Sequence, residues 1–138
     1  MTTLCFFMAG APVGKGRPRF SRKTGHVYTP EKTARYEERL AWAAQSEMKG
    51  RPLFEGPLRV TVEAAMPIPV SKPEKWKTAA RDQLVWPTGK PDADNIAKML
   101  DALNNVVWRD DSQIVDLRVI KQYSDTPGLE IKVTNIEA

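Results

Sequence analysis

The alternation of apolar and polar positions predicts four strands. Leu4–Ala9 is a short apolar run, and we expect it to form a strand buried on both faces. Leu58–Met66 and Ile114–Tyr123 alternate between apolar and polar side chains, as half-buried strands do. A fourth alternating run, Leu129–Ile136, follows a turn at Asp125–Gly128. The last two strands are therefore expected to pair as an antiparallel hairpin.

Helical signals lie between these strands. Thr29–Glu31 combines a hydroxyl cap, a proline in the first turn and an acidic residue near the positive end of the helix dipole. This helix should run to about Met48 and stop at Gly50. Its apolar positions recur every three or four residues and predict one buried stripe of Tyr36, Leu40, Ala43, Ala44 and Met48. A short helix is expected within Ser71–Gln83, starting at the serine. The second main helix is expected to begin after Asp94, in the position of an N-cap.

The order β-α-β-α-β-β, with the short helix as an addition, indicates an α+β fold. We expect a mixed or mostly antiparallel sheet of about four strands, covered by two main helices. The chain of 138 residues suffices for one core, so residues 1–138 are predicted to form a single domain. Its 41% hydrophobic and 28% charged residues are typical of a folded chain rather than a disordered one.

The sequence favours a reducing, cytoplasmic setting. Cys5 is the one cysteine, so an intrachain disulfide is excluded, and its apolar surroundings predict that it is buried. The first residues lack a positively charged signal region, and no apolar run approaches the roughly 20 residues of a membrane span. We therefore expect no membrane partner.

Positive charge is concentrated near the N-terminus of a chain whose net charge is +4. No acidic residue precedes Glu31. The candidate DNA-binding residues are Lys15, Arg17, Arg19, Arg22 and Lys23. These side chains can neutralise phosphates, and the neighbouring glycines permit close backbone approach. The alternative is a solvated hairpin whose charges only maintain solubility, and the segment alone does not decide between them.

Two other chemistries are disfavoured by the same region. A phosphate-binding P-loop needs four residues between its glycines and then Lys-Ser/Thr. Here three residues separate Gly10 from Gly14, and Gly16 follows Lys15. His26 is the one histidine, so a metal site built on several histidines is excluded.

Acidic residues gather in Lys90–Asp116, on both sides of a helical segment. If the chain is extended before the helix, Asp92 and Asp94 project to the same side. Lys98, four residues after Asp94, can lean back toward it. The pair Asp110-Asp111 follows at the turn before the next strand.

These carboxylates can hold one magnesium ion. Mg²⁺ takes oxygen ligands and usually keeps several waters beside one or two protein carboxylates. Asp92, Asp94 and one of Asp110 and Asp111 would suffice, and the ion would activate water for attack on a phosphate. Lys98 would hold that water or offset transition-state charge. In the alternative interpretation, Asp94 is only a helix cap, Asp110-Asp111 is only a turn, and Lys98 only forms an ion pair with Asp94.

The run K-P-D-A-D-N-I-A-K-M-L-D-A-L-N is followed by W-R-D-D-S-Q-I-V-D. Together they resemble the RusA family of Holliday-junction resolvases. The N-terminal run G-A-P-V-G-K-G-R-P-R-F is similar to the start of phage- and prophage-type members. The resemblance implies a RusA-like fold and a homodimeric endodeoxyribonuclease that binds four-way DNA junctions. It also implies paired symmetric nicks in recombination and repair.

The resemblance also implies residue roles. The metal-binding aspartates would be Asp92, Asp94 and Asp111, and these three with Lys98 would be catalytic. Asp110 matches the family's double aspartate but is not assigned the essential role. Mg²⁺ is the implied cofactor, with Mn²⁺ as a substitute.

The sequence is also compatible with two other functions. A non-catalytic module that binds junctions or single-stranded DNA would use Lys15–Lys23, with the aspartates as caps and turns. A metal-dependent phosphoesterase could act on small nucleotides, but the long basic segment argues against it because a nucleotide needs few such contacts.

Overall fold

In the computed structural model, which describes residues 2–28 and 30–136, two helical segments pack on one face of a four-stranded sheet. The strands are β1 (Thr3–Ala9), β2 (Arg19–Phe20), β3 (Val27–Tyr28), β4 (Leu58–Pro67), β5 (Ile114–Ser124) and β6 (Gly128–Asn135). The helices are α1 (Glu31–Met48), α2 (Glu74–Arg81) and α3 (Ala93–Ala97). A 3-10 helix, Lys98–Leu103, continues α3, and a second covers Asp111–Gln113. The predicted α+β class is confirmed.

The sheet is mixed, with the order β1-β6-β4-β5. β4 pairs in parallel with β5 and antiparallel with β6, which also pairs antiparallel with β1. The predicted hairpin of the last two strands is therefore wrong, because β4 lies between them. Leu58, Val60 and Val62 of β4 are fully buried, as a central strand requires. Alternation predicts which face of a strand is buried but does not say which strand lies beside it.

β1 is buried on one face only, which corrects the prediction of two buried faces. Leu4, Phe6 and Met8 are in the core, whereas Cys5 and Phe7 are exposed on the sheet face that the described residues leave uncovered. The expectation of a buried cysteine is thus also wrong. Partial burial and the Glu130 carboxylate, 3.7 Å from its sulfur, raise the pKa of the Cys5 thiol.

Among the helices, α1 agrees best with its predicted range. It ends at Met48 as predicted and buries four residues of the expected stripe, while the fifth, Ala43, is partly buried. The four are Tyr36, Leu40, Ala44 and Met48. The predicted hydroxyl cap, Thr29, lies outside the described residues. α2 begins at Glu74, after the predicted Ser71 start. Among the described residues, no helix is both long enough and apolar enough to cross a membrane.

Candidate active site

The start of α3 carries two aspartates at the rim of a cleft of about 460 Å³. Asp92 occupies the N-cap position and its carbonyl accepts from Ile96 N at 3.1 Å, while Asp94 lies in the first turn. The helix therefore starts earlier than predicted, and the cap position belongs to Asp92 rather than Asp94. Both side chains are solvent-accessible and line the same cleft.

Each aspartate has a lysine beside it. Lys98 Nζ lies 3.8 Å from Asp94 Oδ2 and 3.4 Å from Asn95 Oδ1. Lys90 Nζ lies 3.2 Å from Asp92 Oδ2. The predicted lean of Lys98 toward Asp94 is confirmed, and both amino groups line the cleft. The arrangement places two anionic and two cationic groups at one accessible surface.

The basic N-terminal segment forms the opposite wall of this cleft. Lys15 N donates to Asn95 O at 2.8 Å, and Gly16, Arg17 and Pro18 line the cavity. Gly14 makes this approach possible. A Cβ at Gly14 would lie 2.8 Å from Pro91 Cβ and 3.0 Å from Asn95 Cβ, closer than side chains tolerate. The segment singled out for phosphate contact is thus in direct contact with the aspartate-bearing helix.

Lys15 itself is engaged within the protein. Its amino group hydrogen bonds to Asp101 of the 3-10 helix and lies 3.7 Å from Glu37 of α1. Partial burial opposes its charge, but the Asp101 hydrogen bond and the Glu37 charge together raise the pKa of Lys15. Burial also raises the pKa of Glu37. Lys15 therefore joins three elements around the cleft and has its charge largely neutralised.

The four other basic candidates point to solvent. Their side chains are exposed, and within residues 2–28 and 30–136 none forms an ion pair with a carboxylate. They are Arg17, Arg19, Arg22 and Lys23. Arg17 lines the cleft, and the other three follow along the β2–β3 ribbon, residues 19–28. Their charge is thus available to a ligand, whereas that of Lys15 is not.

Asp110 and Asp111 have different environments. Asp110 caps the 3-10 turn, with its carboxylate accepting from Ser112 N at 3.0 Å and its own N–H donating to Gln113. The side chain and the backbone N–H of Ser112 both stabilise the charged carboxylate and hold the pKa of Asp110 below its ordinary value. Asp111 is exposed. The structural role of Asp110 favours Asp111 as the residue available for chemistry.

Asp111 does not lie with the two aspartates of α3 in one chain. Lys121 Nζ, near the end of β5, donates to Pro91 O at 2.9 Å, so α3 begins beside that end. Asp111 lies before the first residue of β5, Ile114. The strand from Ile114 to Lys121 extends about 23 Å at 3.3 Å per residue. Accordingly, no group of three His, Cys, Asp or Glu among the described residues is placed to hold one metal ion.

Several contributors to this site were not predicted from the sequence. Lys90 and Asn95 line the cleft, and Lys121 holds the loop that leads to Pro91. Away from the cleft, Gln113 fixes the turn that carries Asp110 and Asp111. Lys121 shares the parity of Val119 in the alternating run, so it faces the helical side of the sheet. A lysine on the helical side of a strand is the one sequence signal that could have revealed the role of Lys121.

Comparison with known proteins agrees with the motif. The sequence model of the family described as Endodeoxyribonuclease RusA matches residues 9–134. The uncharacterized protein YqaN of Bacillus subtilis (strain 168) is 38% identical over 143 aligned positions, which cover all of both chains.

Proposed function

Because the chain belongs to the RusA endodeoxyribonuclease family, we propose that it is a magnesium-dependent resolvase of four-way DNA junctions. It introduces paired, symmetric nicks into branched DNA during recombination and repair, and it acts in the cytoplasm. The observation that supports this most is the cleft itself. Asp92, Asp94 and Lys98 lie on one wall, and the cationic segment that includes Arg17 forms the other.

The donor set of the cleft fits a hard cation. Asp92 and Asp94 supply accessible carboxylate oxygens, the Asn95 amide supplies another oxygen, and the open cleft leaves room for waters and a phosphate. Mg²⁺, or Mn²⁺ in its place, would there supply Lewis-acid chemistry and a more acidic bound water. Without a cation, the two carboxylates repel a phosphate placed next to them, so we expect cleavage to depend on the metal.

The basic groups have separate tasks in this proposal. Lys98, held near Asp94, offsets the negative charge that builds up on the phosphate and orients the attacking water. Arg17 contacts a phosphate next to the scissile one, because it lines the same cleft. Arg19, Arg22 and Lys23 extend the positive surface along the backbone of one DNA arm.

A homodimer could place a third carboxylate beside Asp92 and Asp94. β5 is an edge strand, and its Val115 and Leu117 are 65% and 44% exposed close to Asp111 in the chain. Such apolar side chains on a free edge suit a second copy. A two-fold dimer also presents two identical cutting sites, as symmetric nicks require. We propose that Asp111 of each protomer completes the site formed by Asp92 and Asp94 of the other.

The proposal is tested by incubating the protein with a four-way junction labelled on each strand in turn. We expect Mg²⁺ to produce nicks at symmetric positions in opposed strands, and EDTA to prevent them. Duplex DNA of the same sequence should be cut far more slowly. A binding-only module would bind the junction but would produce no nicked strands when the metal is added. Absence of cleavage across varied core sequences with either Mg²⁺ or Mn²⁺ would exclude the resolvase function.

Salt dependence separates the roles of Lys15 and Arg17. Arg17→Met should make the slope of log K against log salt concentration shallower by about one unit, because one phosphate contact is lost. Lys15→Met should leave that slope unchanged. It should instead lower the free energy of unfolding by about 1–2 kcal/mol, since Asp101 and Glu37 lose their shared partner. Anisotropy titrations at several salt concentrations and urea unfolding measure the two effects. Equal slope changes in both variants would mean that Lys15 also contacts a phosphate.

A further inference from the structure

The β2–β3 ribbon displays two apolar side chains on one face. Phe20 pairs directly with Val27, and Arg19 pairs with Tyr28. Directly opposed residues of an antiparallel pair share a face, so Phe20 and Val27 lie side by side. They are 65% and 68% exposed. Such exposure of a phenylalanine and its cross-strand neighbour leaves an apolar patch at the surface.

The ribbon is closed by its own hydrogen bonds. Ser21 N donates to His26 O at 2.9 Å, and Gly25 N donates to Ser21 O at 2.8 Å. Gly25 has a φ of +71°, the left-handed conformation that this turn needs and that glycine adopts without strain. The patch is thus presented on a short, internally bonded hairpin.

Positive charge surrounds the patch. Arg19, Arg22 and Lys23 are exposed on the ribbon, and the first acidic residue of the chain, Glu31, comes after it. The base of the ribbon adjoins the cleft, because Arg17 and Pro18 line the cavity and β2 begins at the next residue. These surroundings suit an occupant that is anionic, offers an apolar face and lies next to the cleft.

We propose that the Phe20–Val27 pair contacts base faces at the branch point and thereby distinguishes branched DNA from duplex. This inference rests on the proposed resolvase function. A duplex offers phosphates and base edges, while its base faces are covered by stacking. At a branch, bases are unstacked more easily, and aromatic or apolar side chains then stack on them or insert between them. The flanking basic residues hold the adjoining phosphates.

A second copy of the chain is the competing occupant. Two ribbons brought together would each carry Arg19, Arg22 and Lys23, and their like charges would oppose the contact. DNA has the complementary charge. The charge of the ribbon therefore favours nucleic acid over a self-contact.

The test compares junction and duplex DNA of the same sequence at fixed salt. Phe20→Ala should weaken junction binding about tenfold, the loss expected for one base stacked on an aromatic ring, and leave duplex binding unchanged. Phe20→Trp should retain the preference for the junction. Phe7→Ala is the matched control, because Phe7 is 51% exposed on the open face of the sheet. A 2-aminopurine placed at the branch should change its fluorescence on binding of the wild type but not of Phe20→Ala.

Three outcomes would overturn the inference. Equal weakening of junction and duplex binding by Phe20→Ala would assign the ring to general DNA contact. Dissociation of the dimer by this variant, seen by sedimentation, would assign the patch to a self-contact. Unchanged junction binding and 2-aminopurine signal would leave the ring without a role in branch recognition. If the wild type binds and cuts junctions, these results reject this inference alone, whereas failure of the wild type to bind any branched DNA rejects the proposed function as well.

Discussion

Asp94→Asn is expected to lower the rate of magnesium-dependent junction cleavage by about 10³-fold or more, while junction binding is retained or becomes tighter. The amide has nearly the shape of the carboxylate but is a much weaker ligand for a hard cation. Removal of one negative charge from the cleft also reduces its repulsion of DNA. Single-turnover cleavage and anisotropy measured on the same junction report the two effects separately.

Asp82→Asn is a suitable control because Asp82 is an exposed aspartate at the end of α2. It should cleave at the wild-type rate. If Asp94→Asn also cleaved at that rate, Asp94 would be only a residue of the first helical turn, paired with Lys98. The binding-only alternative predicts no cleavage by the wild type and junction binding that Asp94→Asn leaves unchanged.

Mixing two inactive variants tests whether Asp111 acts across the dimer. Asp94→Asn and Asp111→Asn should each be inactive as homodimers. In a mixed dimer, one site carries both substitutions, while the other combines native Asp92 and Asp94 from one protomer with native Asp111 from the other. With random exchange, about half of the dimers are mixed and about one quarter of all sites are intact. Activity should therefore reappear on mixing, and mainly as single nicks rather than paired ones.

The two arrangements of the site predict opposite results here. If Asp111 served its own chain, both sites of every mixed dimer would carry a substitution, and mixing would restore nothing. The exchange of subunits has to be verified with differently tagged copies. A mixture of Asp92→Asn with Asp94→Asn is the control. These two residues lie on the same wall, so each mixed dimer has two damaged sites.

The features predicted best are those that depend on neighbours in the sequence. The spacing of Asp94 and Lys98 corresponds to one helical turn, so their approach follows from helix geometry. The buried stripe of α1 was found for the same reason. The predicted start of α3 is wrong because a capping signal is short and either of two aspartates, Asp92 or Asp94, could supply it.

The features that could not be predicted depend on partners far apart in the sequence. The sequence places Lys15 among the candidate DNA contacts, but its amino group pairs with Asp101 and Glu37. Nothing in the local sequence marks these two residues as its partners. The predicted hairpin of β5 and β6 is wrong because β4 lies between these two strands, and the packing of the whole sheet determines that position. For Asp111, proximity in sequence to Asp92 and Asp94 does not bring the three into one group of metal ligands within the described residues of one chain. The intervening helix carries the chain back along β5 before Asp111 is reached.

The hydrogen bond from Lys15 N to Asn95 O makes the cleft a product of the whole chain rather than of its acidic segment. Lys15 and Asn95 are far apart in the sequence, so most of the chain has been synthesised before the two walls of the cleft can meet. A chain in which α3 has formed but the N-terminal segment has not docked carries the acids without Arg17 opposite them. Such a chain has the two aspartates and their neighbouring lysines but lacks the basic segment that would hold DNA beside them. We therefore expect the complete cleft only in molecules in which the N-terminal segment and α3 have folded against each other.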